Sequence, residues 1–209
     1  MLVATEEPSM SPLPLAPVRA MIVLAVLSVA AAAGAADDAA QAPATPPPFP
    51  SARAKNWIGK PQSWDTLRGQ VVLLDLWRYA CSSCRATVPW IKDVRQRYAE
   101  RGLVLVGVHT PAFTFEHERK NVESEVRRHG LDYSHLLDND SVYMDALGTR
   151  GWPTVYLVDR CGRIRESEMG EVHAKDESAQ RLEARIEALL AEPASACGAA
   201  PAAAAGASR

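Results

Sequence analysis

Apolar residues along the chain recur in two periods, and the elements follow from them. Val71-Val72-Leu73-Leu74-Asp75-Leu76-Trp77 is a nearly unbroken apolar run, the pattern of a strand covered on both faces. Between Ser82 and Glu100, Val88, Ile91, Val94 and Tyr98 recur at helical spacing, with Pro89 expected to kink the helix. Leu103 to Val108 reads as a second buried strand. Phe115, Val122 and Val126 mark a further helix, closed by Gly130. Ser134 to Leu137 and Thr154 to Val158 read as strands, and Ile164 to Met169 follows across the tight turn Arg160-Cys161-Gly162-Arg163. Leu182, Ile186, Leu189 and Leu190 give a closing amphipathic helix. Strands alternating with helices, then a hairpin and a last helix, predict an α/β sandwich around a mixed sheet.

The ends of the chain lack this patterning. Ala20 to Ala33 is an uncharged run preceded by Arg19 and followed by Ala33-Gly34-Ala35, the layout of a secretory signal. It is shorter than the ~20 residues of a membrane span, which favours cleavage. An uncleaved anchor is the alternative, since residues 34–36 extend the run. Glu6 and Glu7 are unusual in such a leader, and a start at Met10 would remove them. No cysteine precedes Cys81, so a lipid-modified N-terminal cysteine is excluded. The expected organisation is a signal peptide or membrane anchor over 1–36 and a Pro/Ala-rich linker over 37–56. A folded domain follows over 57–192, then a disordered Ala-rich tail over 193–209.

Composition narrows the function. Of 209 residues, 23 are Lys or Arg and 25 Asp or Glu, a net charge of -2 that leaves no electrostatic footprint for nucleic acid. Four cysteines are too few for a disulfide scaffold, and only Cys81 and Cys84 are close together. That pair, Cys81-Ser82-Ser83-Cys84, directly follows a buried strand and opens a helix, as a redox pair does. The helix dipole and free N–H groups stabilise a thiolate at its N-terminus, so Cys81 is expected to attack. Cys84, one turn inward, is expected to resolve the mixed disulfide, and Cys81 to be the more exposed thiol. A structural zinc site needs four ligands, and no second close Cys or His pair is present. No cofactor or metal is expected. Asp75 in an apolar strand should be desolvated, with its pKa raised.

With these motifs on the page, the chain resembles the exported TlpA/DipZ-like (redoxin) family of the thioredoxin fold. The acid Asp75 lies six residues before Cys81, Trp77 four before it, and Pro89 five after Cys84. Gly107-Val-His109-Thr-Pro111, Leu137-Asp-Asn139-Asp140, Trp152-Pro153-Thr154 and Val158-Asp159-Arg-Cys-Gly162-Arg-Ile164 continue the likeness through about residues 57–192. The resemblance implies a three-layer α/β/α sandwich and a thiol–disulfide oxidoreductase working on protein thiols or disulfides. A membrane or periplasmic partner would supply or drain its electrons. Asp75 would then move the proton of Cys84, Trp77 would pack under the pair, and Trp152, a cis Pro153 and Thr154 would meet the substrate chain. Ser-Ser between the cysteines leaves the redox direction open. Arg78 would either favour the thiolate by charge or be a solvated loop residue, and His109 is expected to be a structural hydrogen-bonder.

Family topology places Cys161, at the hairpin tip, and Cys197, just past the last helix, at the same pole. A structural Cys161–Cys197 disulfide is expected, with a free Cys197 as the alternative. Two rival activities use the same cysteines. A peroxidase of the peroxiredoxin type would need a Thr or Ser and a Pro where Arg78 and Leu74 stand. A copper-binding chaperone would use the two thiolates as soft ligands, with His109 or a Met completing the site.

Overall fold

The computed structural model describes residues 45–193 and Cys197. The expectations for 1–36, for the first part of the 37–56 linker and for most of the 193–209 tail lie outside the described residues. No helix among the described residues is long and apolar enough to cross a membrane.

The strands are β1 (Trp57–Ile58), β2 (Val71–Trp77), β3 (Leu103–His109), β4 (Ser134–Leu137), β5 (Thr154–Val158) and β6 (Ile164–Met169). The helices are α1 (Trp64–Leu67), α2 (Ser82–Tyr98), α3 (Arg119–His129), α4 (Val142–Ala146) and α5 (Glu177–Ala191). The strands form one mixed sheet in the order β1-β4-β3-β2-β5-β6. β2, β3 and β4 run parallel, and β1, β5 and β6 pair antiparallel to their neighbours. All seven residues of β2 are buried, which explains its unbroken apolar run.

Strand alternation divides the core between the two faces. On one, Val71, Leu73, Leu105 and Leu157 meet Trp90, Ile91 and Val94 of α2 and Leu182, Ile186 and Leu189 of α5. On the other, Val72, Leu74, Leu76, Val106 and Tyr156 meet Trp57, Tyr143 and Leu147. The sheet is thus sandwiched between helical layers. α2 runs through Pro89 as one 17-residue element. Gly130 ends α3 in the left-handed conformation (φ 63°), where only glycine is free of strain.

Two boundaries differ from expectation. Phe115 is not part of α3, which begins at Arg119; it lies exposed in a short 3-10 turn, Thr114–His117. The 37–56 segment is not a free tether throughout. Phe49 stacks on Trp64 (5.2 Å) and Tyr143 (4.9 Å), and Trp64 Nε1 donates to the Pro47 carbonyl at 2.8 Å. Trp57 Nε1 donates to the Ser51 carbonyl at 2.7 Å. The aromatic ring supplies an apolar anchor that Pro/Ala composition alone does not reveal.

Candidate active site

β2 delivers the chain to the carboxyl end of the parallel strands, where a short loop, Arg78 to Ala80, leads into α2. Cys81 is the N-cap residue of α2, and its Sγ accepts the backbone N–H of Cys84 at 3.0 Å. The two cysteines are joined as a disulfide with Cα atoms 5.2 Å apart. Bonded together, they are buried to nearly the same extent, 7% and 6% exposed. Both pack among Trp77, Val122, Val126 and Leu131, and Trp152 closes on the same cluster.

Asp75 sits within β2 rather than at its end, paired with Gly107 on one side and Val155 on the other. Burial raises its pKa from 3.8 to about 6, opposed by the Tyr133 hydroxyl, which donates to Oδ2 at 2.7 Å. Asp75 and Cys84 line one cavity of about 10 Å³, room for a single water, together with Trp77, Arg85 and His129.

Around this pair the aromatic floor is ordered by hydrogen bonds. Trp77 Nε1 donates to His135 Nδ1 at 3.2 Å, so His135 carries its proton on Nε2 and donates to the Leu131 carbonyl at 3.1 Å. Gly107 has no side chain because the His135 ring lies 2.0 Å from where a Cβ would stand. His109 corrects the expectation of a structural hydrogen-bonder: it is fully buried, yet neither ring nitrogen has a partner among the described residues. Packing holds it instead, stacked on Tyr79 (5.8 Å) and edge-on to Trp77 (5.0 Å). Burial lowers both histidines to about 4, which keeps them neutral.

Arg78 is largely buried, and its charge is paired rather than solvated. Its Nη1 pairs with Glu116 at 3.3 Å and donates to the Ala80 carbonyl at 3.2 Å. Its guanidinium lies between the rings of Phe113 and Trp152, 5.2 Å from each. Glu116 is the site residue that sequence reasoning missed. It is wholly buried and accepts the N–H groups of Ala80 (3.0 Å), Ala112 (3.0 Å) and Phe113 (3.1 Å). Burial alone would raise its pKa, but those three bonds and the Arg78 charge hold it below the usual carboxylate value. An acid between Phe115 and His117, at the start of what the sequence pattern reads as a helix, carries no signal of such a role.

The Trp152–Pro153 peptide is cis, and Thr154, which opens β5, pairs with Leu76 of β2. That register sets Trp152, Pro153 and Thr154 beside the loop that carries Cys81. Thr154 Oγ1 donates to the Gly151 carbonyl at 2.8 Å. Cys161, in the β5–β6 turn, is joined to Cys197 with Cα atoms 5.0 Å apart. Leu74 is buried mid-strand and Arg78 is tied to Glu116, so neither position is placed to orient a peroxide. Among the described residues no group of three or more His, Cys, Asp or Glu is placed to hold a metal.

The mixed sheet with a disulfide at the mouth of α2 defines a thioredoxin-like fold. A thiol-disulfide isomerase from Corynebacterium glutamicum shares it, with a TM-score of 0.58 at 22% identity over 66% of this chain and 92% of that one. Residues 47–167 match the AhpC/TSA family, and the chain belongs to it. Protein DipZ of Mycobacterium bovis is 38% identical over 112 residues, 54% of this chain and 16% of DipZ. The thiol-disulfide oxidoreductase ResA of Geobacillus thermodenitrificans is 26% identical over 116 residues, 56% of this chain and 63% of ResA. The match thus spans about a sixth of DipZ and less than two thirds of ResA.

Proposed function

We propose that this protein is an exported thiol–disulfide oxidoreductase that exchanges disulfides with protein partners through Cys81 and Cys84. The observation that carries the reading is the shared cavity: a buried acid with a raised pKa beside the inner cysteine of a helix-capping pair. In the reduced protein, the Cys81 thiolate attacks a partner disulfide and one partner sulfur leaves as a thiolate. Asp75 takes the Cys84 proton. The Cys84 thiolate then attacks the Cys81 sulfur and expels the second partner thiolate. Two electrons pass to the partner, and the Cys81–Cys84 disulfide forms. The reverse sequence oxidises a dithiol. Trp152, Pro153 and Thr154 would contact the partner backbone.

ResA, named as an oxidoreductase of this type, supports the chemistry. The apolar run after Arg19 and a second disulfide, Cys161–Cys197, support an extracytoplasmic setting, where such bonds persist. The Cys84→Ser variant should accumulate mixed disulfides with partner proteins on a non-reducing gel. Adding Cys81→Ser should abolish them. Adducts that survive loss of Cys81, or none with Cys84→Ser, would overturn the roles.

A further inference from the structure

The cavity that Asp75 and Cys84 share has a third proton-exchanging wall residue, His129, which the exchange steps above leave idle. α3 carries it there. Val122 and Val126 pack on the cluster that holds Cys81 and Cys84, and His129 follows on the same face of the helix, three residues after Val126. Gly130 then ends the helix, and the Leu131 N–H bonds the Val126 carbonyl at 3.0 Å. Leu131 returns to the same cluster and lines the same cavity, so the chain is fixed on both sides of His129.

His129 also reaches solvent, as Asp75 does not. Its side chain is 25% exposed, whereas Asp75 is buried. Its Nε2 is buried and lies 3.3 Å from a Glu125 carboxylate oxygen, without the alignment of a hydrogen bond, and has no other partner among the described residues. Glu125, which Arg128 pairs at 2.9 Å, thus faces an imidazole nitrogen that no hydrogen bond has claimed. The other polar wall residues are not open to a proton in this way. Arg78 and Arg85 carry guanidinium groups, which donate only. The Tyr79 hydroxyl donates to the Phe115 carbonyl at 2.8 Å, and burial raises its pKa further from neutrality. The remaining wall residues besides Asp75 and Cys84 have no group that titrates. Imidazole, by contrast, is the side chain suited to shuttling a proton near neutral pH.

We infer that His129 is the outlet through which the proton of Cys84 leaves the site, taking it from Asp75 and passing it to solvent. The inference rests on the exchange reading above, in which Asp75 accepts that proton. As the Cys84 thiolate attacks the Cys81 sulfur and the partner thiolate leaves, the proton passes from Cys84 to Asp75 and, within the shared cavity, from Asp75 to His129. Glu125 stabilises the imidazolium, which gives the proton to buffer at its exposed edge. Asp75 is a carboxylate again when the step ends, and the two electrons go to the partner as before. In the reverse direction the same groups return a proton to Cys84.

The symmetric disulfide of thionitrobenzoate, in excess over the reduced protein, separates the two sulfur steps in one stopped-flow trace. Attack by the Cys81 thiolate releases the first coloured thiolate at a rate that follows reagent concentration. Attack by Cys84 releases the second at a rate independent of it. In His129→Ala the first phase should be unchanged and the second slowed about tenfold, less than the ~100-fold expected of a primary proton acceptor, because Asp75 remains. Added imidazole, which fits the space the side chain leaves, should restore the second phase as its concentration rises. His129→Gln fills that space without a group that takes a proton, so it should be slow and stay slow in imidazole. A second phase unchanged in His129→Ala would overturn the outlet while leaving exchange intact. So would a second phase that imidazole does not restore, or equal slowing of both phases. Release of only one thiolate by the unaltered protein would overturn the exchange reading itself, because Cys84 would then resolve nothing.

Discussion

At Asp75 two effects oppose one another: burial favours the protonated acid, and the Tyr133 hydroxyl favours the carboxylate. His129 and Arg85 also face the cavity, and Arg95 and Asp132 flank Tyr133. If the carboxylate takes the proton of Cys84, release of a mixed disulfide should speed up as pH rises through about 6. Asp75→Asn should remove that rise, and Tyr133→Phe should move it to higher pH, because the bond that favours the charged form is gone. Stopped-flow release kinetics across that range check both; a Tyr133→Phe profile displaced to lower pH contradicts the assignment. The histidines act on stability with the opposite sign to Asp75. His109 and His135 have folded pKa values near 4 against an ordinary 6.5, so the unfolded chain takes up their protons first. Stability is lost as pH falls from about 6.5 to about 4, by about 3 kcal/mol for each ring. Asp75, raised from 3.8 to about 6, returns about 3 kcal/mol over the lower part of that window. The net expectation is an acid loss of about 3 kcal/mol. His109→Phe keeps the aromatic packing, gives up no hydrogen bond to the described residues, and should abolish most of that loss. Urea midpoints for both proteins at several pH values give the answer, and an unchanged acid loss in the variant refutes it.

The loop after β3 depends on Glu116 as a helix depends on its cap. Removing that carboxylate leaves three backbone N–H groups and Arg78 without their buried acceptor. Glu116→Ala should therefore cost about 3–5 kcal/mol, measured by chemical denaturation. A cost below 1 kcal/mol would mean that solvent already reaches the loop. Nothing in the sequence announced this, and the contrast with β2 is instructive. β2, β3, β5, α2 and α5 are legible because burial on two faces, or on one stripe, writes a period into the chain. The redox pair was legible for a related reason: two cysteines at a strand-to-helix junction are a local pattern. β1, α1 and α4 are two to five residues long, too short to show any period. Glu116 joins its own loop to the redox loop through Arg78 and Ala80, 38 and 36 residues away, and hydrogen bonds of that span leave no spacing to read. Phe115 misled in the opposite direction. It falls near helical phase with Val122 but lies outside α3, exposed beside Phe113.

Across the whole molecule, the two disulfides occupy opposite ends of the sheet. β5 starts at Thr154, opposite Leu76 near the redox loop, and ends at Val158, opposite Val72, so the Cys161 turn lies at the far end. That end is where the chain's outer segments converge. Pro46, Trp64, Arg68, Cys161 and Gly162 line one cleft, and Arg160 donates to the Gly69 (2.7 Å) and Leu190 (3.2 Å) carbonyls. Arg165 adds ion pairs to Asp159 (3.0 Å) and Glu192 (3.3 Å), tying the hairpin to the end of α5. A bridge here closes a loop of 36 residues and acts on the unfolded chain. On the loop-entropy account it contributes at most about 4 kcal/mol. Because those contacts already hold α5 in place, replacing both cysteines with Ser should lower stability by no more than that. It should leave the exchange rate at Cys81–Cys84 unchanged, since no strand end is shared between the two sites. Denaturation midpoints and peptide-exchange kinetics of the Cys161→Ser/Cys197→Ser protein provide the measurement. A slowed exchange with normal stability would show the two ends to be coupled through β5, and would assign the second disulfide a part in the reaction.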